Sequence, residues 1–116
     1  MKFMSMVYSS EKNGPPPAAL MQAIAQLGME ANKAGTMVQM GGLYGSAQGA
    51  RVRLRAGKIT VVDGPFTESK EIIGGFAVFQ FGTKKEAIEQ VTKFMELHRQ
   101  HWPGWEGESE VRQIFE

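Results

Sequence analysis

Gly75-Phe76-Ala77-Val78-Phe79-Gln80-Phe81-Gly82-Thr83-Lys84-Lys85-Glu86 decides the architecture of this chain. Phe76 and Val78 fall at one parity and Ala77, Phe79 and Phe81 at the other, so a strand here is apolar on both faces and belongs in the middle of a sheet. Thr83 and Glu86 then form a T-x-x-E capping box that starts a helix. Along that helix Ala87, Val91, Phe94 and His98 share one stripe, with Ile88 and Met95 beside it. A helix layer can cover one face of the strand. The other face needs an apolar cover of its own, and a second copy of the chain is the commonest one among soluble assemblies, which predicts a homodimer.

The flanking segments extend this pattern. Lys2–Tyr8 reads as a strand, and Pro15-Pro16-Pro17 leads into a helix over 17–34 with Leu20, Ile24, Leu27 and Ala31 at helical spacing. Gly35 stops it. Met37–Leu43 is a second strand. Arg51–Leu54 and Lys58–Val62 alternate in step around Ala56-Gly57, which predicts a hairpin. With a two-residue turn, Arg53 faces Thr60 and Leu54 faces Ile59, and Val52, Leu54, Ile59 and Val61 make the buried side. Val111–Phe115 supplies a last short strand after the break at Pro103-Gly104. The order β-α-β-hairpin-β-α-β predicts an α+β fold, with two helices on one face of an antiparallel sheet.

Composition narrows the function. The chain of 116 residues has a formal charge of +1, is 42% apolar and 22% charged, and reads as one domain over 1–116. So small a net charge provides no field for nucleic acid. No stretch approaches the ~20 apolar residues of a membrane span, and the N-terminal apolar run is too short for a secretory leader. The absence of cysteine removes disulfides, thiolate metal sites and thiol nucleophiles, and points to the cytoplasm. Gly41-Gly42 and Gly74-Gly75 do not precede a helix as a phosphate-cradling loop would, and Ser9, Ser46 and Ser69 lack the turn of a serine hydrolase. Two histidines without a spaced carboxylate set predict no metal site, and no cofactor is expected.

Val62-Asp63-Gly64-Pro65-Phe66-Thr67-Glu68-Ser69-Lys70-Glu71-Ile72-Ile73-Gly74-Gly75-Phe76 resembles the signature of the DGPF branch of the YCII-related proteins. The similarity continues in the opening Met1-Lys2, the basic hairpin that leads into Asp63, and the closing Glu110-Val111-Arg112. This resemblance implies a ferredoxin-like fold that pairs as a dimeric α/β barrel, with a cleft near the dimer interface. It also implies an active-site aspartate, here Asp63, and a histidine near the start of the first helix. Pro15–Met21 contains no histidine. One relative is associated with dehydrochlorination of an aromatic ring, and some members are fused to sigma-factor-like segments.

Each candidate residue has a structural reading and at least one functional reading. Asp63 continues the parity of Ile59 and Val61 toward the covered side, capping the turn by accepting backbone N–H bonds from 65–67 or a neighbouring strand, acting as a general base or ligand-binding carboxylate in a cleft, or merely standing at the surface. His98 is a half-buried residue bonded near its helix end, or the stand-in for the missing histidine that meets Asp63 across the sheet. Arg51, Arg53 and Arg55 form a solvated hairpin face, an anion site, or a surface for Glu68 and Glu71 of a partner subunit. Lys70 and Glu71 are cleft or interface candidates, and Trp102 and Trp105 need cover from core, partner or ligand. Two functions therefore stand open: a cofactor-free small-molecule enzyme or ligand-binding dimer with a cleft near Asp63, and a non-catalytic accessory dimer that binds a protein partner in transcription regulation.

Overall fold

A computed structural model describes residues Met1–Glu116. Strands β1 (Lys2–Ser9), β2 (Met37–Gly42), β5 (Ile72–Gln80) and β6 (Gly107–Gln113) form one antiparallel sheet in the order β2-β5-β1-β6, while β3 (Ala50–Arg55) and β4 (Lys58–Asp63) form a separate two-stranded arm. Helices α1 (Ala18–Lys33) and α2 (Lys84–His101) lie in the two crossovers. This is a ferredoxin-like α+β arrangement with the β3–β4 arm inserted between its second and third sheet strands.

Local chemistry places the element ends. The Thr83 side chain accepts the Glu86 N–H at 3.2 Å and starts α2, as the T-x-x-E spacing requires. At the end of α1 the Gly35 N–H donates to the Asn32 carbonyl at 3.1 Å and the Thr36 N–H to the Ala31 carbonyl at 3.0 Å, a Schellman closure. The arm has the register read from sequence, with Arg53 opposite Thr60 and Leu54 opposite Ile59. Ala56 and Gly57 turn with φ of 50° and 76°, the mirror-image geometry that matches strand twist in a two-residue hairpin.

Two strands begin earlier than expected. β5 starts at Ile72 because Ile72 and Ile73 pair with Ser9 and Tyr8, and the register then slips at Gly74, an unpaired residue that the sheet accommodates as a bulge. β6 starts at Gly107 rather than Val111. Its polar opening, Glu108-Ser109-Glu110, suits an edge strand but carries no apolar signal.

Phe3 and Phe79, opposite one another in β1 and β5, anchor the core with Leu20 and Ala31 of α1 and Ala87 and Val91 of α2. The same parity sets Ser5 opposite Ala77 and Val7 opposite Gly75 on the helix-bearing face. Met4, Met6, Tyr8, Phe76 and Val78 occupy the other face, where no helix packs, and are half-buried. Only 11 of 116 residues are buried. The accessible surface is 8229 Å², about 1,900 Å² above the ~6,300 Å² that scaling gives a monomer of 12.8 kDa. The radius of gyration, 15.7 Å, likewise exceeds the ~13.4 Å of a compact chain of this length. The projecting arm and the bare sheet face both contribute to this excess. No helix is long and apolar enough to cross a membrane.

Candidate functional site

Helices and sheet do not close on one another everywhere. A cavity of ≈ 620 Å³ lies between α1, α2 and the helix-bearing sheet face, within the ~300–1,000 Å³ of ligand pockets. The stripes that periodicity assigns to the core line it: Leu20, Ile24 and Leu27 from α1, and Val91, Phe94 and His98 from α2. Space remains beneath them because the floor is built of small residues, with Ser5, Gly75 and Ala77 where larger side chains would have met the helices.

His98 is the one imidazole in the lining and is 6% exposed. Its Nδ1 lies 3.0 Å from the Phe94 carbonyl oxygen, an atom that can only accept, so Nδ1 carries the proton and the neutral ring keeps Nε2 as an acceptor. Nε2 has no protein partner and is not sealed from solvent. Burial pushes the His98 pKa below its ordinary value, opposed by the Phe94 carbonyl bond, which raises it. The ring is flanked by Phe94 at 4.6 Å and Trp105 at 4.4 Å between centroids, and Trp105 stacks on Trp102 at 6.1 Å. Both tryptophans line the cavity. His101 is half-buried at the end of the same helix, outside the lining.

The rim is braced by a network that sequence reading missed. Ser46, buried in the loop between β2 and β3, donates its Oγ–H to Glu11 Oε1 and its N–H to Glu11 Oε2 at 2.7 Å, and accepts the Phe66 N–H at 2.9 Å. Glu11, held below its usual pKa by these Ser46 bonds, also lines the cavity. The Gly64 N–H donates to the Gly49 carbonyl at 2.8 Å, and a Cβ at Gly64 would stand 1.6 Å from the Ser46 carbonyl oxygen. Glycine is therefore required here by close backbone approach. The Asp63–Phe66 turn, whose Gly64–Pro65 bond is cis, acts as a brace tying three loops together at the cavity rim. These bonds join residues 20 and 35 positions apart, so no local pattern signals them.

Asp63 itself is exposed and takes no side-chain hydrogen bond; the Phe66 N–H that a turn cap would engage goes to Ser46 instead. It shares the arm face with Val61 and Ile59, as parity indicates, but that face is bare in the single chain, so the expectation of a buried side formed by Val52, Leu54, Ile59 and Val61 is not met within one copy. His98 and Asp63 are not brought together. One sits under α2 and the other on the projecting arm, outside the cavity lining.

The base of the opposite arm face meets the chain's own segment. Arg51 and Arg53 reach Glu68 at 3.1 and 3.4 Å, and the Arg51 guanidinium lies 4.0 Å over the Phe66 ring. Lys70 and Glu71 are exposed and unpaired.

The protein is thus an α+β sandwich of ferredoxin type with an apolar, aromatic-walled cavity and one neutral histidine. The profile of the YCII-related domain matches residues 1–97, and the chain belongs to the YCII-related family. His98, Trp102, Trp105 and β6 lie just beyond the matched segment. A search of curated proteins finds no match.

Proposed function

We propose that this chain is a cytoplasmic small-molecule-binding protein of the DGPF kind, with His98 Nε2 as the proton acceptor of its cavity, and that it works as a homodimer. The observation that carries the reading is the Nδ1–H bond to the Phe94 carbonyl, which leaves a neutral, unpartnered acceptor in an apolar hollow. A ligand hydroxyl or acidic C–H placed against Nε2 would give its proton to the ring, forming an imidazolium and a ligand anion, and recover it when the bond to hydrogen is remade. The lining contains no lysine or arginine, and its one carboxylate, Glu11, is engaged by Ser46, so an uncharged aromatic or aliphatic compound with one donor group fits best. The dimer reading is supported by the half-buried apolar row Met4, Met6, Tyr8, Phe76 and Val78. It is also supported by a surface excess of about 1,900 Å², beyond the ~800 Å² per partner of a standard interface.

Trp102 and Trp105 are the only tryptophans and both line the cavity, so their fluorescence reports occupancy. Titration with uncharged phenols is expected to quench it saturably, with affinity falling tenfold or more in His98→Gln. An unsaturable response, or equal affinity in the variant, overturns the reading. One observation favours the alternative of a non-catalytic accessory dimer that recruits a protein partner: the Asp63–Phe66 turn is engaged in structural bonds to Gly49 and Ser46.

A further inference from the structure

The β3–β4 arm is two-faced in an unusual sense. The base of its arginine face meets Phe66 and Glu68 of the same chain, while Arg55, Lys58 and Thr60 nearer the tip are exposed. Its other face carries Val52, Leu54, Ile59 and Val61 at 70%, 70%, 71% and 65% exposure, opposite one another in two cross-strand pairs. Contiguous aliphatic side chains this open mark an interaction surface, and a two-stranded ribbon alone is only marginally stable in water.

We infer that the arm is a clasp exchanged between two copies of this chain, its aliphatic face buried against the partner subunit. The inference rests on the dimer part of the proposed function and adds to it the arm, its occupant and its direction. Three observations select a second copy as the occupant. The surface excess of about 1,900 Å² is more than twice the area one side of a standard interface buries, so pairing of the bare sheet faces does not exhaust it. In a two-fold dimer any contact between an arm and the second copy occurs twice, so one self-complementary contact type would cover the arms of both copies.

Charge supplies the third. The arm tip bears Arg55 opposite Lys58, neither of them in an ion pair. On β6, Glu108 and Glu110 lie opposite Tyr8 and Met6 and so project from the helix-free sheet face, the side on which a second copy would sit. Glu108 is unpaired, and Glu110 meets Arg112 only at 3.6 Å. Arg55 and Lys58 have the arginine-face parity but stand at the exposed end of the arm, beyond the Glu68 pairs, where they can meet the acidic row of a second copy. This gives the clasp a direction, from the arm of one copy to β6 of the other. Asp63, at the base of the aliphatic face, then faces the partner subunit rather than water.

The test is the dimer dissociation constant, measured by light scattering and dilution on the full chain. Leu54→Glu with Ile59→Glu is expected to weaken the dimer at least 100-fold while leaving the circular dichroism of the four-stranded sheet and helices unchanged. Arg55→Glu with Lys58→Glu is expected to weaken it about tenfold, and Glu108→Arg with Glu110→Arg to restore it in the combined variant. The chain has no cysteine, so mixing an Ile59→Cys preparation with a Glu108→Cys preparation is expected to give a disulfide-linked pair on oxidation. A dimer whose constant is unmoved by Leu54→Glu and Ile59→Glu, or a failure of the charge rescue and the cross-link together, overturns the clasp and leaves the dimer standing. A wild-type chain that runs at 12.8 kDa overturns both.

Discussion

His98 donates its Nδ1–H to the carbonyl of Phe94, 3.0 Å away and one helical turn back, which fixes the tautomer of the only imidazole in the cavity. The ring is neutral in the folded chain because burial holds its pKa below the ordinary 6.5.

A pH dependence with a definite sign follows. Since the folded pKa lies below the unfolded one, the unfolded chain takes up this proton first as the pH falls. The stability contributed by neutral His98 is complete above pH 6.5 and declines below it, at up to about 1.4 kcal/mol per pH unit, until the folded chain is protonated too. Urea midpoints of the wild type are expected to fall relative to those of His98→Gln between pH 7.5 and 5.5. His101 is common to both proteins and cancels. Glu11, whose folded pKa is lowered, loses its contribution as the pH falls below its ordinary 4.5, a separate window. A constant difference between wild type and variant across the upper window would contradict the buried, neutral ring.

Ser46 is the hub of the rim brace. Ser46→Ala deletes the hydroxyl bond to Glu11 and leaves the Phe66 N–H without its acceptor, a loss expected to cost about 1–3 kcal/mol in urea unfolding. Because Glu11 and Ser46 share this network, the effect of Glu11→Gln is expected to be smaller in the Ser46→Ala background than in the wild type. Additive effects would mean that the two side chains are not coupled.

Ala56 holds φ at 50°, a left-handed conformation that costs an alanine ~1 kcal/mol and that asparagine adopts more readily. Ala56→Asn is expected to raise arm stability by about 0.5–1 kcal/mol. Slower amide exchange at Arg53 and Thr60, a hydrogen-bonded pair of the arm, with α1 and α2 unaffected, is the signature to look for. Unchanged or faster exchange would show that the turn is not of the mirror-image type.

The arm register was legible in the sequence because two strands alternating in step about a two-residue turn allow only one pairing, Arg53 with Thr60 and Leu54 with Ile59. Helix α2 was legible from the Thr83–Glu86 pair. The cavity was not. Leu20, Ile24, Val91 and Phe94 at helical spacing mark an inward face, but periodicity does not tell whether that face meets another side chain or a hollow. The available signal was the run of small residues at the helix-facing parity of β1 and β5, Ser5, Gly75 and Ala77. Alternation in the arm similarly revealed an apolar face without naming its cover, and Ser46 was invisible because its partners are distant in sequence.

Asp63 separates a role in the cavity from a role elsewhere. Its carboxylate is exposed, takes no side-chain hydrogen bond and lies outside the cavity lining, so it has no means of contacting a ligand held at His98 within the same chain. Asp63→Asn preserves size and shape while removing the charge. The variant is expected to bind phenols with wild-type affinity, whereas His98→Gln loses affinity under the same conditions. Proton exchange with a bound ligand is likewise expected to survive in Asp63→Asn. If that variant lost ligand affinity as severely as His98→Gln does, the carboxylate would have to reach the cavity in the assembled protein, and the arm carrying it would have to close over the rim of the partner subunit.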